Sequence, residues 1–306
     1  MALKHDVSFD PRHGEAVEIA TGIRRITAGN GGPFTFKGTN SYIVGHDTLA
    51  VIDPGPNDPA HLEALLRAIA DRPVSHILVT HTHVDHSPLA AELKRETGAT
   101  TVGEGPHRAA RSLAADEVHH LDASADRDFV PDITVAHGQT VEGDGWSFET
   151  VLTPGHTANH AAFALLGTGI LFPGDHVMGW ATTIVAPPDG SMSAYMGSLD
   201  VLLAREDHLY LPGHGGAIAN PRPYVKGLKT HRIMRERAVL ERVRAGDRTI
   251  AEMVSRIYRS TDPRLHGAAA LSVLAHIEDL VARGLVETDR TTTLDAEYRA
   301  APDGAV

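Results

Sequence analysis

The chain has 306 residues, 42% of them hydrophobic and 22% charged, with no cysteine and a formal net charge of -11. This length can bury a sizeable core and suits one large domain with an appendage, and it excludes disorder, collagen and coiled coil as global descriptions. The missing cysteines exclude disulfide scaffolds, thiolate nucleophiles, iron–sulfur clusters and sulfur-ligated metals, so any metal must bind through nitrogen and oxygen. Twenty histidines are the compositional outlier, and they point to imidazole–carboxylate metal chemistry. No run of about 18 apolar residues occurs, and the opening MALKHDVSFDPRHGE carries charges where a leader would carry its apolar block. The expectation is a soluble, cytoplasmic protein without a membrane partner.

Up to residue 220 one pattern repeats: a short β-rich run that ends in a cluster of Gly, Pro, His and Asp. The predicted strands are 41–44, 49–52, 76–79, 148–152, 161–166, 170–172 and 209–211, each bounded by turn residues. Asp58 and Pro59 start a helix with Leu62, Leu65, Leu66 and Ile69 on one face. A second helix follows Ser193 with Tyr195, Met196, Leu199, Leu202 and Leu203. Strands and helices mixed in this way predict an α/β sandwich, two facing sheets with helices outside.

After Pro221 the pattern becomes helical: 224–244, then 249–258 with Ile250, Met253, Val254 and Ile257, then 268–283 with Leu271, Leu274, Ile277, Leu280 and Val281. Gly284 stops the last helix before a short strand at 285–287. Helix, helix, strand is the outline of a small winged-helix module, which packs or dimerises as often as it reads nucleic acid. The expected division is a catalytic domain at 1–220 and a helical, winged-helix-like domain at 221–306, with residues after about 289 frayed. Charge divides similarly, with 13 Lys and Arg against 27 Asp and Glu before residue 221 and 15 against 12 after it. The basic part of the tail, 221–264, is a candidate anion footprint or a solvated helix face.

The strongest motif is Thr80-His81-Thr82-His83-Val84-Asp85-His86, emerging from the apolar run 77–79. His81 and His83 project to one side because alternate residues of an extended chain share a side, and the turn at Asp85 and His86 can supply a neighbouring point. Three further runs end in Pro-Gly turns that each present one donor: His156, Asp175 and His214. Five histidines and two aspartates suit two borderline divalent ions, Zn²⁺ most naturally.

This ordered set resembles the metallo-β-lactamase fold superfamily over roughly residues 18–220, with Val51-Ile52-Asp53-Pro54-Gly55 matching its first motif. The resemblance implies an αββα sandwich in which His81, His83 and His156 hold one metal, Asp85, His86 and His214 the other, and Asp175 bridges them. Asp53 would orient a ligand region from behind. One departure is Ser87-Pro88-Leu89-Ala90, where relatives follow the Asp-His pair with a residue and two glycines. The whole chain is most similar to the β-lactamase-like protein 2 group, through Gly38-Thr-Asn-Ser-Tyr42, the Tyr195–Leu199 helix, Pro212-Gly-His-Gly215 and His231-Arg232-x-x-Arg235-Glu236. Arg232 and Glu236 can equally be an i, i+4 pair on a solvated face.

Paired divalent ions lower the pKa of a bridging water towards 7 and polarise a carbonyl or phosphoryl oxygen, so hydrolysis by a metal-bridging hydroxide is the expected chemistry. Asp85 and His160 are the candidate catalytic residues, His160 either as general acid or as a hydrogen-bond partner behind the ligands. Asn40, Thr182, Thr183 and Tyr195 border the site and read as structural. Glu92, Lys94, Arg95, His107, His119 and His120 read as solvent-exposed. The β-lactamase-like protein 2 resemblance implies single-stranded RNA as substrate, although the acidic body and few aromatics oppose a polyanion. The alternative is a small-molecule ester, thioester or lactone, as in the similar hydroxyacylglutathione hydrolases. A true β-lactamase and a metal-free nucleic-acid-binding protein are weaker readings.

Overall fold

The computed structural model describes residues 3–113 and 124–302. In chain order its elements are β1 (Val17–Ala20), β2 (Ile23–Thr27), β3 (Asn40–Val44), β4 (Leu49–Ile52), α1 (Pro59–Ile69), β5 (Val74–Leu78), α2 (Leu89–Thr97), β6 (Thr100–Gly103), β7 (Ile133–Thr134), β8 (Thr140–Gly143), β9 (Trp146–Leu152), β10 (Ala161–Leu165), β11 (Ile170–Phe172), α3 (Met192–Leu203), β12 (Leu209–Tyr210), β13 (Ile218–Ala219), α4 (Pro221–Arg244), α5 (Ile250–Ile257), α6 (His266–Ala282), β14 (Val286–Glu287) and β15 (Arg299–Ala300).

Two sheets face each other, one ordered β1-β2-β3-β4-β5-β6-β7 and the other β13-β12-β11-β10-β9-β8. The layer between them is apolar: Tyr42, Val44 and Ile52 from the first sheet meet Phe148, Phe163 and Phe172 from the second. Helices α1 and α2 cover the outer face of the first sheet through Leu62, Leu65 and Leu93, and α3 and α4 cover the second through Tyr195, Leu199, Val225 and Leu228. This is the αββα sandwich. Each large apolar side chain buried in these layers stabilises the fold by roughly 1.5–3 kcal/mol before entropy is counted.

Local chemistry sets the helix starts. Asp58 caps α1, its carboxylate accepting from Ala60 N–H, with Pro59 at the first position. Pro88 occupies the N-cap of α2. Helix α3 starts earlier than the sequence suggests, because the Ser191 hydroxyl accepts from Ala194 N–H and acts as the cap.

The tail has its own core, in which Val239 and Val243 of α4 meet Met253, Leu274, Ile277 and Leu280. Strands β14 and β15 pair as a small wing. The expectation of fraying after residue 289 is corrected, since Ala296 is fully buried, Tyr298 is 1% exposed and β15 closes the wing. The segment Pro263–Ala282 is long and apolar enough to cross a membrane by composition. Here Val273, Leu274, Ile277 and Leu280 are buried in the tail core, as in an internal helix.

Candidate metal centre

The donors stand on loops that follow strand ends. Asp53 follows β4, His81, His83, Asp85 and His86 follow β5, and His156, Asp175 and His214 follow β9, β11 and β12. Strands β4 and β5 run parallel. Strands β11 and β12 also run parallel, and β9 points the same way because β10 is antiparallel to both β9 and β11. One edge of the sandwich therefore collects all these loops.

They converge in space. His81 Nε2 lies 3.0 Å and His156 Nε2 3.1 Å from His83 Nδ1. In a neighbouring group, Asp85 Oδ2 is 3.3 Å from His86 Nε2 and 3.2 Å from His214 Nε2. Asp175 reaches both groups, lying 3.2 Å from His214, 3.5 Å from His86 and 3.8 Å from His156. Three overlapping triads could each hold a metal ion: His81, His83 and His156; His81, His86 and Asp175; and Asp85, His86 and His214.

The outer hydrogen bonds fit metal ligation. A carbonyl or carboxylate can only accept, so the ring nitrogen facing it carries the proton. His156 Nδ1 faces Ile184 O at 2.7 Å, His214 Nδ1 faces Gly38 O at 3.2 Å and His86 Nδ1 faces Asp53 Oδ2 at 2.9 Å. The Thr80 hydroxyl donates to Asp53 Oδ2 and so accepts from His81 Nδ1 at 3.0 Å. Four Nε2 lone pairs are thereby turned towards the centre. Asp175 Oδ1 is buried there without a hydrogen-bond partner. A Cβ on Gly213 would come within 2.5 Å of that oxygen and 2.7 Å of His86 Cε1, so only glycine leaves the space between them open.

The electrostatics agree. Burial opposes the charged forms of His81, His83 and His156, and neighbouring histidines add to this; His81 lies well below its ordinary pKa and His83 is pushed down to about 3. These rings are neutral lone-pair donors. Burial also opposes charge on His214, but Asp175 and Asp85 outweigh it and raise its pKa to about 10. His86 is raised in the same way by Asp85, Asp175 and Asp53. Burial works to raise Asp85 and Asp175, yet the adjacent His86 and His214 hold both well below the carboxylate range. The carboxylates thus demand positive charge, and protons supply it in the absence of cations.

Asp53 sits behind the candidate ligands and is 2% exposed. Its carboxylate also accepts from Thr80 N–H at 2.7 Å, tying the end of β4 to the end of β5. His160 takes the second of its two readings. It is fully buried, its Nε2 accepts from Asp175 N–H at 3.2 Å and its Nδ1 lies 2.8 Å from Thr153 Oγ1. Burial together with the nearby His176 and His156 holds its pKa well below the ordinary value. The ring proton then sits on Nδ1 against Thr153, and with both nitrogens engaged inside the protein the geometry favours the hydrogen-bond-partner reading over the general acid.

Asn40, Thr183 and Tyr195 are structural, as expected. Asn40 Nδ2 donates to Pro212 O and Gly215 O, Thr183 Oγ1 donates to Asp175 O at 2.7 Å, and the Tyr195 hydroxyl donates to His176 O. Arg232 departs from the solvated-face reading: it is 3% exposed and donates to Thr183 O, while Glu236 pairs with Arg283. The His107 side chain is only 2% exposed, which corrects the expectation of solvent exposure. His119 and His120 lie outside the described residues. Lys94 and Arg95 are exposed and Glu92 half-exposed, Lys94 pairing with Asp132. Thr39, within the Gly38–Tyr42 motif but given no role in the sequence reading, donates to Asp85 Oδ2 at 3.0 Å.

Residues 34–214 match the model of the Metallo-beta-lactamase superfamily. The chain belongs to this superfamily. As a member of the metallo-beta-lactamase superfamily it is a metal-dependent hydrolase, and residues 249–293 match the Beta-lactamase associated winged helix domain. It is 28% identical over 295 residues to a Beta-lactamase-like protein 2 homolog of Drosophila melanogaster, covering 92% of this chain and 94% of that one. It is also 28% identical to the thioesterase pkgB of Emericella nidulans, covering 71% of this chain and 57% of that one. A beta-lactamase domain protein from Burkholderia ambifaria shares the fold at TM-score 0.79, with 23% identity and 96% of both chains covered.

In this metallo-beta-lactamase superfamily chain, His83, Asp85, His156, Asp175 and His214 form the floor of a cavity of about 370 Å³. Phe34, Met178, Ile184, Ala268 and Leu271 line its walls, the last two from α6. Arg264 is the lining residue with a permanent positive charge, and it is paired with Asp262 at 2.6 Å.

Proposed function

We propose that the chain is a dinuclear metal-dependent hydrolase that cleaves the ester or thioester bond of a small molecule with an apolar acyl portion. The observation that carries this reading is the cavity over the donors, where Phe34, Met178, Ile184 and Leu271 offer an apolar wall to an acyl chain. The similarity to the thioesterase pkgB supports the same class. His81, His83 and His156 are proposed for one cation, Asp85, His86 and His214 for the other, and Asp175 for both. Two divalent ions, Zn²⁺ by donor hardness, would make water acidic enough to attack near neutral pH and would polarise the carbonyl oxygen.

The chain's own residues do the positioning. Asp53 and Thr80 fix His86 and His81 in the tautomer whose Nε2 is free. His160 holds the Asp175 turn through its backbone N–H. Asp85 and Asp175 supply the negative charge that keeps two cations close.

Cleavage of single-stranded RNA is the second reading, favoured by the end-to-end similarity to the Beta-lactamase-like protein 2 homolog. It ranks below the ester reading because much of the wall of the cavity over the donors is apolar and several of the tail's cations are already paired. Arg242 and Arg256 pair with Asp247, Lys229 with Asp200 and Arg264 with Asp262, and Arg232 is buried. The deciding experiment screens thioesters, esters, lactones, a phosphodiester and unstructured RNA with wild type and His83→Ala. Acyl substrates turned over by wild type alone, with RNA intact at low salt, are expected. RNA cleavage without acyl turnover would overturn the reading.

A further inference from the structure

A second cavity of about 310 Å³ lies beside the first, between the 180–184 segment and the tail helices α4 and α6. The two share Phe34, Met178, Ile184 and Ala268 as walls, so an occupant of one abuts the other. Their chemistry differs. The second cavity is lined by His231, Arg232 and Arg235 of α4. Among the described residues no carboxylate forms an ion pair with either arginine, and the nearby Glu236 is committed to Arg283.

Arg232 is the built part of this site. One arm of its guanidinium donates to Thr183 O and the other lies 3.3 Å from Ser272 Oγ, which leaves Nε buried without a partner. Trp180 Nε1, which can only donate, is also buried and unpartnered in the same walls. Arg235 stacks 4.7 Å over the Tyr258 ring, an arrangement that leaves its in-plane N–H groups pointing outward. Buried donors and a buried cation are costly until an acceptor of opposite charge completes them.

We propose that this second cavity is an anion subsite that holds a carboxylate or phosphate group carried by the substrate, with Arg232 and Arg235 as its cations. The placement of the scissile bond rests on the acyl-hydrolase reading above; the anion site does not. An acyl substrate spanning both cavities has an apolar stretch along Phe34, Met178 and Ile184 and its charge at α4.

The test uses the full-length, metal-loaded protein with Arg235→Gln and Arg235→Lys. Three matched thioesters differ only at the end distal to the carbonyl: a carboxylate, a phosphate or a neutral amide. Wild type is expected to prefer one anionic substrate over the neutral one by about tenfold or more in kcat/KM, chiefly through KM. Arg235→Gln is expected to erase that ratio and Arg235→Lys to restore part of it; the anion showing the larger ratio identifies the natural group. Titration calorimetry with glutarate and with phenylphosphate reads the site without turnover, and weaker binding to Arg235→Gln is expected for at least one of them. A ratio near one in wild type, an equal slowing of all three substrates by Arg235→Gln, or unchanged binding of both probes would overturn the proposal. If no thioester is cleaved while probe binding still depends on Arg235, the acyl-hydrolase reading fails and the anion site stands.

Discussion

Asp53 shows how much of the site is decided by a side chain that is not itself a proposed ligand. Its carboxylate receives Thr80 N–H, the Thr80 hydroxyl and His86 Nδ1. It does so from a backbone with φ of 48°, a region that aspartate tolerates better than most residues. Asp53→Ala is expected to fold, because its neighbours are themselves anchored on strand ends, but to bind metal about 10- to 100-fold more weakly. Competition with a chelating dye measures this, and unchanged affinity would remove the orienting role. Protons supply a second test at this scale. Asp175 and Asp85 raise His214 to about 10, so it holds at neutral pH a proton that a cation must displace, and His86 is raised in the same direction. Loading must therefore release protons, and affinity must fall as pH falls. Calorimetry in buffers of different ionisation enthalpy should show this release at pH 7. The convergent donors were legible in the sequence because each stands at or just after the end of an apolar run. His160 was ambiguous there, since only the Asp175 N–H, 15 positions away, decides its role.

Among the elements, close approach between backbones governs the His156 loop. Gly155 has φ of 135°, and a Cβ there would lie 2.3 Å from Tyr195 Cα and 2.4 Å from Tyr195 N at the start of α3. Backbone atoms cannot rotate away, so Gly155→Ala is expected to cost at least about 2 kcal/mol and to displace His156. Gly197, within α3, has nothing within 4 Å of its built Cβ. Gly197→Ala is therefore expected to stabilise by roughly 0.5–1 kcal/mol, because alanine is the better helix former. Thermal unfolding of the two variants checks both signs. Strand β2 escaped the sequence reading because Arg24 and Arg25 interrupt the apolar alternation that marks a strand. Arg25 is nevertheless 7% exposed, its guanidinium over the Phe9 ring, and Arg24 donates to Ala68 O. The last wing strand was hidden similarly, since a polar segment gives no hint that Ala296 and Tyr298 turn inward.

For the molecule as a whole, buried neutral histidines tie stability to pH. His276 is 1% exposed, neither ring nitrogen has a partner, and burial together with Arg232 and His231 pushes its pKa down to about 3. The unfolded chain, titrating near 6.5, binds more protons than the folded one below that pH. Stability is therefore complete above about 6.5 and is lost as pH falls towards 3, by about 1.4 kcal/mol per pH unit for each such histidine. His276→Leu is expected to flatten this slope in urea titrations between pH 6.5 and 4.5; an unchanged slope would exclude His276 as a contributor. The tail's net positive charge was plain in the sequence, but its pairing was not. Lys229 reaches Asp200 of α3, while the body's Arg111 takes up the tail's Glu278, so charges of both signs are paired across the chain.

Helix α4 belongs to two cores, giving Val225 and Leu228 to the layer beneath the second sheet and Val239 and Val243 to the tail. Through Arg232 it also grips Thr183, whose hydroxyl braces the backbone of Asp175. The appendage is therefore not interchangeable cargo. A chimera that grafted another protein's tail at residue 221 would inherit a loosened 180–184 segment, and a compatible exchange would have to transplant both sides of that joint together.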